Sequence, residues 1–175
     1  GDLDVAVGNR GSDDVSVLIN RGDGTFGADV RYGVGTNPRS LAVGDLDGDG
    51  DLDLATSNAT EDVSVLMNDG DGTFGLEERY GAGFTLRKIV IADLNGDGAP
   101  ELSVADLAQS TVNVLNNNGD GTFADPVQVG SLNPPGLAVG DINGDGHLEL
   151  LTPRASPAML ILLANNGAGT FSDPI

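Results

Sequence analysis

An all-β fold assembled from repeated four-stranded sheets is predicted for this 175-residue chain by three observations. Phe26, Phe74, Phe123 and Phe171 recur at intervals of 48, 49 and 48 residues, each closing a "GTF". Acidic nine-residue stretches open at Asp45, Asp93 and Asp141, again 48 residues apart. The runs between these markers are short and rich in β-branched or alternating residues, with Gly, Asn and Asp filling the gaps. No segment sustains a 3.6-residue apolar period, so helices are not expected.

One unit, read in order, gives four strands. "SLAVGD" (Ser40 to Asp45) is a short apolar run of small residues, followed by the acidic loop and then by "LDLATS" (Leu52 to Ser57). "NATED" is a polar turn, and "VSVLMN" (Val63 to Asn68) is the third strand, echoed by "VSVLIN" at Val15 and "VNVLNN" at Val112. After the turn "DGDG", "TFGLEERYG" (Thr73 to Gly81) is a fourth extended segment, and "GAGFTLRK" leads into the next unit. A four-stranded antiparallel meander of this length matches one blade of a β-propeller. A stacked β-solenoid, the competing all-β repeat, uses much shorter coils.

The whole chain, 1–175, reads as a single repeat domain with units at approximately 1–39, 40–87, 88–135 and 136–175. "GDLD" at Gly1 to Asp4 matches Gly50 to Asp53, so the first unit opens inside an acidic loop, with Asp4 in its ninth position. "TFSDPI" at the other end matches "TFADPV" and stops partway along a fourth strand. Three arrangements fit: a fragment of a longer propeller, a protomer completing a ring or fibre with other copies, or a four-bladed ring with a gap.

Composition narrows the function. Apolar residues make up 39% of the chain and aromatics 4%, so the core must be built from Val, Leu, Ile and Ala. A net charge of −19 repels a phosphate backbone and argues against a nucleic-acid partner. No apolar run is long enough for a membrane-spanning helix. The absence of cysteine removes disulfides and thiolate metal sites.

The acidic loops carry the chemistry. Position 1 is Asp45, Asp93 or Asp141; position 3 is Asp47, Asn95 or Asn143; position 5 is Asp49, Asp97 or Asp145; position 9 is Asp53, Glu101 or Glu149. Position 7 varies (Asp51, Ala99, His147), which suggests that it offers its main-chain carbonyl. Two carboxylates about 4 Å apart repel by roughly 4 kcal/mol at an effective dielectric near 20. A loop that gathers oxygens at four fixed positions in all three copies therefore calls for a cation. Hard oxygen donors suit Ca²⁺, which accepts about six or seven of them at roughly 2.3–2.6 Å, better than Mg²⁺ with its strict octahedron. About three structural calcium sites are expected, the first being strongest with four carboxylates against three in each of the others. An EF-hand is excluded, because position 12 holds Thr56, Val104 or Thr152 and the flanks read as strands.

The D-x-[DN]-G-D-G-x-x-[DE] loop in a blade-length β repeat resembles the FG-GAP/VCBS repeat, the calcium-binding blade of integrin α-like propellers. The resemblance covers nearly the whole chain. It implies calcium held in the hairpin between the first two strands of a blade, and an extracellular or cell-surface location. It also implies adhesion, scaffolding or sugar binding as the class of role.

Catalysis is not expected. The one histidine, His147, lies in an acidic loop, which leaves no material for a Ser–His–Asp or histidine-metal arrangement. The expected function is a non-enzymatic, calcium-stabilised interaction or scaffolding module. The alternatives are a protomer of a self-assembling ring or fibre, and a carbohydrate-binding propeller. Partners are then other copies or remaining blades, and a protein or glycan ligand on a loop face, where Arg39, Arg87 and Lys88 gather. "RGD" at Arg21 to Asp23 is one version of a repeated hairpin turn, with counterparts "DGD" and "NGD". "NAT" at Asn58 places a glycosylation sequon on a predicted turn.

Overall fold

The computed structural model describes residues 2–130, 133–155 and 158–172. Four antiparallel sheets follow one another along the chain, and no helix occurs among the described residues. The first sheet holds β1 (Val5–Asn9), β2 (Asp14–Leu18) and β3 (Val30–Gly33). The second holds β4 (Ser40–Gly44), β5 (Asp53–Ser57), β6 (Asp62–Leu66) and β7 (Glu78–Gly81). In the third are β8 (Leu86–Ala92), β9 (Glu101–Asp106), β10 (Thr111–Leu115) and β11 (Val127–Val129). The fourth contains β12 (Ala138–Gly140), β13 (Glu149–Ala155) and β14 (Ala158–Leu163). Strands pair in chain order within every sheet, which is the meander of a propeller blade.

Two boundaries differ from the sequence reading. β8 begins at Leu86, two residues before the expected unit start, and its register slips between Leu86 and Ile89. The expected fourth strand from Thr73 narrows to Glu78–Gly81. Ahead of it Phe74 makes only an isolated bridge to Asn68, because its ring leaves the ladder for the neighbouring interface. The expected strand at the carboxyl end reaches residues 173–175, outside those described.

One packing rule fills all three interfaces. The next-to-last strand of a sheet presents two valines, and the last a tyrosine or valine, towards the following sheet. That sheet answers with a leucine from its second strand, a leucine from its third, and the phenylalanine of "GTF". Thus Val15, Val17 and Tyr32 meet Leu54, Leu66 and Phe74. Val63, Val65 and Tyr80 meet Leu102, Leu115 and Phe123. Val112, Val114 and Val129 meet Leu150, Leu163 and Phe171. Alternation along each strand lets one sheet serve two cores, with Leu54 facing back and Ala55 facing forward. The first two ring pairs meet edge to face, at centroid distances of 5.2 and 5.3 Å. Phe26, with no preceding sheet in this chain, is 39% exposed.

Asn58 lies where the second strand enters the predicted turn. Its side chain is completely buried, with Nδ2 donating to Asp62 Oδ1 at 2.8 Å and Ser64 Oγ at 2.7 Å. Asn9 makes the same fork to Asp14 and Ser16, so the residue is a corner brace in the folded chain.

A second cross-blade link is polar. Asn117, just beyond β10, donates Nδ2 to Leu46 O of the preceding sheet at 2.7 Å and to Pro100 O of its own at 3.1 Å. Asn165 repeats this with Leu94 O at 2.6 Å and Leu148 O at 3.0 Å. Buried carbonyls stripped of a donor cost about 1–3 kcal/mol each. Asn117→Ala is therefore expected to lower the unfolding free energy by about 2 kcal/mol or more, read from urea melts. Asn20→Ala, whose exposed amide reaches only Leu3 O, should cost less than half as much.

Candidate metal centre

The acidic loops join the first two strands of the second, third and fourth sheets: 45–52, 93–100 and 141–148. Each is coiled by its own carboxylates. Asp45 accepts the amides of Gly48 at 2.8 Å and Gly50 at 3.1 Å, one on each oxygen. Asp93 and Asp141 do the same for Gly96 and Gly98, and for Gly144 and Gly146. Position 3 accepts the amide of position 5, and position 5 accepts that of position 7. The glycines at positions 4 and 6 have φ near +80° and +95° in the first loop, a region that side-chain-bearing residues avoid.

In the first loop, Asp45, Asp47 and Asp49 each place an oxygen so that all three lie within 4.8 Å of one another. In the other two loops position 3 is an asparagine, and its amide nitrogen occupies the corresponding ground. Asn95 Nδ2 donates to Asp97 at 2.9 Å and to Glu101 at 3.2 Å. Asn143 Nδ2 donates to Asp145 at 2.9 Å and to Glu149 at 3.5 Å. Positions 3, 5 and 9 thus converge in these loops around a partial positive charge.

The position-9 carboxylate does more than the sequence suggests. Asp53, Glu101 and Glu149 are all but inaccessible to solvent. Asp53 Oδ2 accepts the Leu46 amide at 2.7 Å, and Oδ1 accepts the Asn68 amide at 2.8 Å. Glu101 and Glu149 take the amides of Leu94 and Ile142. Asp4 takes the amide of Asn20, which supports its assignment to a ninth position. Burial pushes the Asp53 and Glu101 carboxyls above the usual carboxylate range, and their acidic loop neighbours push the same way against these amide bonds. Asp145 moves the other way, held low by the His147 amide and the Asn143 side chain.

Position 7 turns its side chain away from the cluster. Asp51 lies over Gly70, and the His147 ring lies over Gly167, where any Cβ would collide with it. A second feature was missed in the sequence, the apolar residue at position 2. Leu46 and Leu94 are buried in the interfaces to the following sheets, whereas Ile142, with no following sheet in this chain, is 58% exposed. Its signal was present, since position 2 is Leu, Leu and Ile in the three copies.

With this geometry in hand, comparison with known proteins fixes the family. The model of the FG-GAP-like repeat matches residues 1–56, 50–104 and 93–152, each match running from one acidic loop through the next. The chain belongs to the FG-GAP-like repeat family. Comparison with curated proteins finds no match. Among solved structures, the chain is similar to an Agrocybe aegerita lectin that recognises non-reducing terminal N-acetylglucosamine. Identity is 22% and the TM-score 0.65, covering 92% of this chain and 46% of the lectin. It is also similar to the V. cholerae biofilm matrix protein Bap1, at 20% identity and a TM-score of 0.49, covering 97% of this chain and 29% of Bap1. The chain spans less than half the length of either. The lectin likeness shows the propeller fold.

The loop geometry separates two kinds of carboxylate. Asp53→Ala removes the acceptor of two amides and is expected to destabilise the protein by about 2–4 kcal/mol even in chelator. Asp49→Ala removes a converging charge and should leave stability in chelator unchanged or raised. Urea melts of both variants in chelator check the contrast.

Proposed function

We propose that this FG-GAP-like repeat chain is a non-enzymatic, extracellular interaction or scaffolding module whose blades are clamped by calcium. The observation that carries this reading is the convergence of Asp45, Asp47 and Asp49 oxygens within 4.8 Å at the tip of a hairpin. Charges so close are costly without a counterion, and the same coiled backbone recurs in the loops from Asp93 and Asp141. The ligand set is positions 1, 3, 5 and 9, completed by the carbonyls of Asp51, Ala99 and His147. In the second and third loops the asparagine must turn an oxygen towards the ion. Three ions would take the net charge from −19 to −13. Calcium here is structural, because each loop joins two strands of one blade, and the loops from Asp45 and Asp93 also abut the next.

Carbohydrate binding is a second reading with one observation behind it. A cleft of about 630 Å³ lies between the first two sheets, lined by Arg31, Tyr32, Phe74, Leu76, Glu77 and Arg79. Leu76 is 95% exposed and the two arginines are held by carboxylates, a mixture of apolar and fixed polar groups that suits a sugar. Calorimetric binding of a neutral sugar, lost in Leu76→Asp with melting unchanged, would support it; sugar binding that survives Leu76→Asp, or none at all, removes it.

Calcium titration followed by thermal melting tests the main reading. A saturable rise in melting temperature is expected, much reduced in Asp49→Ala and little changed in Asp51→Ala. Equal effects of the two substitutions would overturn the ligand positions. Acid should weaken the ion's effect. The raised Asp53 and Glu101 carboxyls favour the cation-free fold at low pH, and that contribution fades as pH rises through their folded values. The stabilisation by calcium is therefore expected to grow as pH rises from the acid range towards neutrality and these carboxylates lose their protons.

A further inference from the structure

The eight cations of the chain are unevenly placed. Arg31 is ion-paired to Asp29 and Asp14, and Arg79 to Glu77 and Asp62. Arg21 sits in a hairpin turn on the same side as the acidic loops. The other five, Arg10, Arg39, Arg87, Lys88 and Arg154, lie on the opposite side, where second strands turn into third strands and each sheet hands over to the next. None of these five makes an ion pair among the described residues, in a chain with 27 acidic side chains.

Three of them draw together. Arg39 immediately precedes β4, and its guanidinium crosses to the next sheet, where Nη1 donates to Leu86 O at 2.9 Å. That carbonyl belongs to the residue before Arg87. Arg10 lies in the turn after β1, on the same face, close enough for its charge to act on Arg39. Partial burial lowers the Arg39 pKa first, and the like charges of Arg87 and Arg10 lower it further. The carboxylates of this face do not relieve the repulsion. Asp106 is turned to the amides of Phe84, Thr85 and Ala108, Asp13 accepts the Asn37 amide, and Glu61 projects from the turn after β5.

We propose that the loop face opposite the acidic loops is an anion site, at which Arg39, Arg87 and Arg10 receive a single carboxylate or sulfate group. Arg39 is the fixed member, anchored through one nitrogen with its remaining N–H groups free to donate. Arg87 and Arg10 are exposed and close on the ligand. Guanidinium forks suit both anions through paired N–H donors. A compact ligand carrying one such group fits better than an extended polyanion, because the net charge of −19 repels the latter at longer range.

The test uses the intact chain in calcium-containing buffer, with sodium sulfate and glucuronate as probes and glucose as the neutral control. Binding is followed by titration calorimetry and NMR shifts, repeated at raised chloride. Saturable binding of sulfate and glucuronate but not glucose is expected, weakened at least tenfold in the double variant Arg10→Gln, Arg87→Gln. Both residues are exposed and their side chains make no hydrogen bond or ion pair among the described residues, so the variant should melt like the parent. Arg21→Gln, on the other face, should bind like the parent. No saturable binding, or equal binding by parent and double variant, overturns the proposal. Concentration-dependent self-association by the parent, lost in the double variant and with no anion binding, would overturn it too and assign the face to a second copy.

Discussion

The buried carboxylate at the ninth loop position is the constraint on which the remaining architecture rests. Asp53 closes its own hairpin by taking the Leu46 amide, and it fixes the start of the following turn by taking the Asn68 amide. Leu46 then does two jobs that depend on this placement. Its side chain enters the core shared with the third sheet, and its carbonyl receives Asn117 from that sheet. Glu101, Leu94 and Asn165 repeat the arrangement one unit later. A carboxylate in so dry a place is tolerated because both its oxygens are hydrogen-bonded by fixed amides. The loop is therefore a joint as well as the proposed ion cradle, and its acidic residues include one that holds the chain and others that converge at the tip.

This division explains what the sequence made legible and what it hid. The repeat length, the four-stranded order and the acidic positions were all visible, since each recurs in one register. The core was visible in its aliphatic part, and Phe74, Phe123 and Phe171 join the valines and leucines there. The structural task of position 9 was hidden, because sequence spacing shows that an oxygen is present and not what donates to it. Position 2 was passed over because an apolar residue isolated among acidic neighbours shows no strand or helix period. Asn58 hid its role for a related reason: a sequon on a turn does not show what its side chain holds. Only tertiary packing shows that its amide is consumed by Asp62 and Ser64. Charge pairing was equally hidden, since Arg31 and Arg39 look alike in the chain and meet opposite surroundings in the fold.

Repeat proteins distribute stability between units and the contacts joining neighbours. Here the two are linked through the loop backbone. The same Leu46 residue is held by Asp53 on its nitrogen side and bound by Asn117 on its oxygen side. Any ion that tightens the loop from Asp45 therefore also steadies the carbonyl that the next blade grips. The loop from Asp93 is coupled to the fourth sheet in the same way, and Gly169 adds its amide to the Leu94 carbonyl. The loop from Asp141 has no such outlet in this chain, because Ile142 is exposed.

The coupling has a direction, and the charge pattern follows it. Each blade is gripped by its successor at the acidic-loop side, where carboxylates gather, while unpaired arginines collect where the strands turn back. Antiparallel meanders impose this separation, since the two kinds of loop must emerge from opposite edges of every sheet. The turn-back side has structural carboxylates of its own, but they are spent on backbone and asparagine donors: Asp106 holds the amides of Phe84, Thr85 and Ala108, and Asp13 holds that of Asn37. The guanidinium of Arg39 therefore turns to the Leu86 carbonyl and makes no ion pair among the described residues.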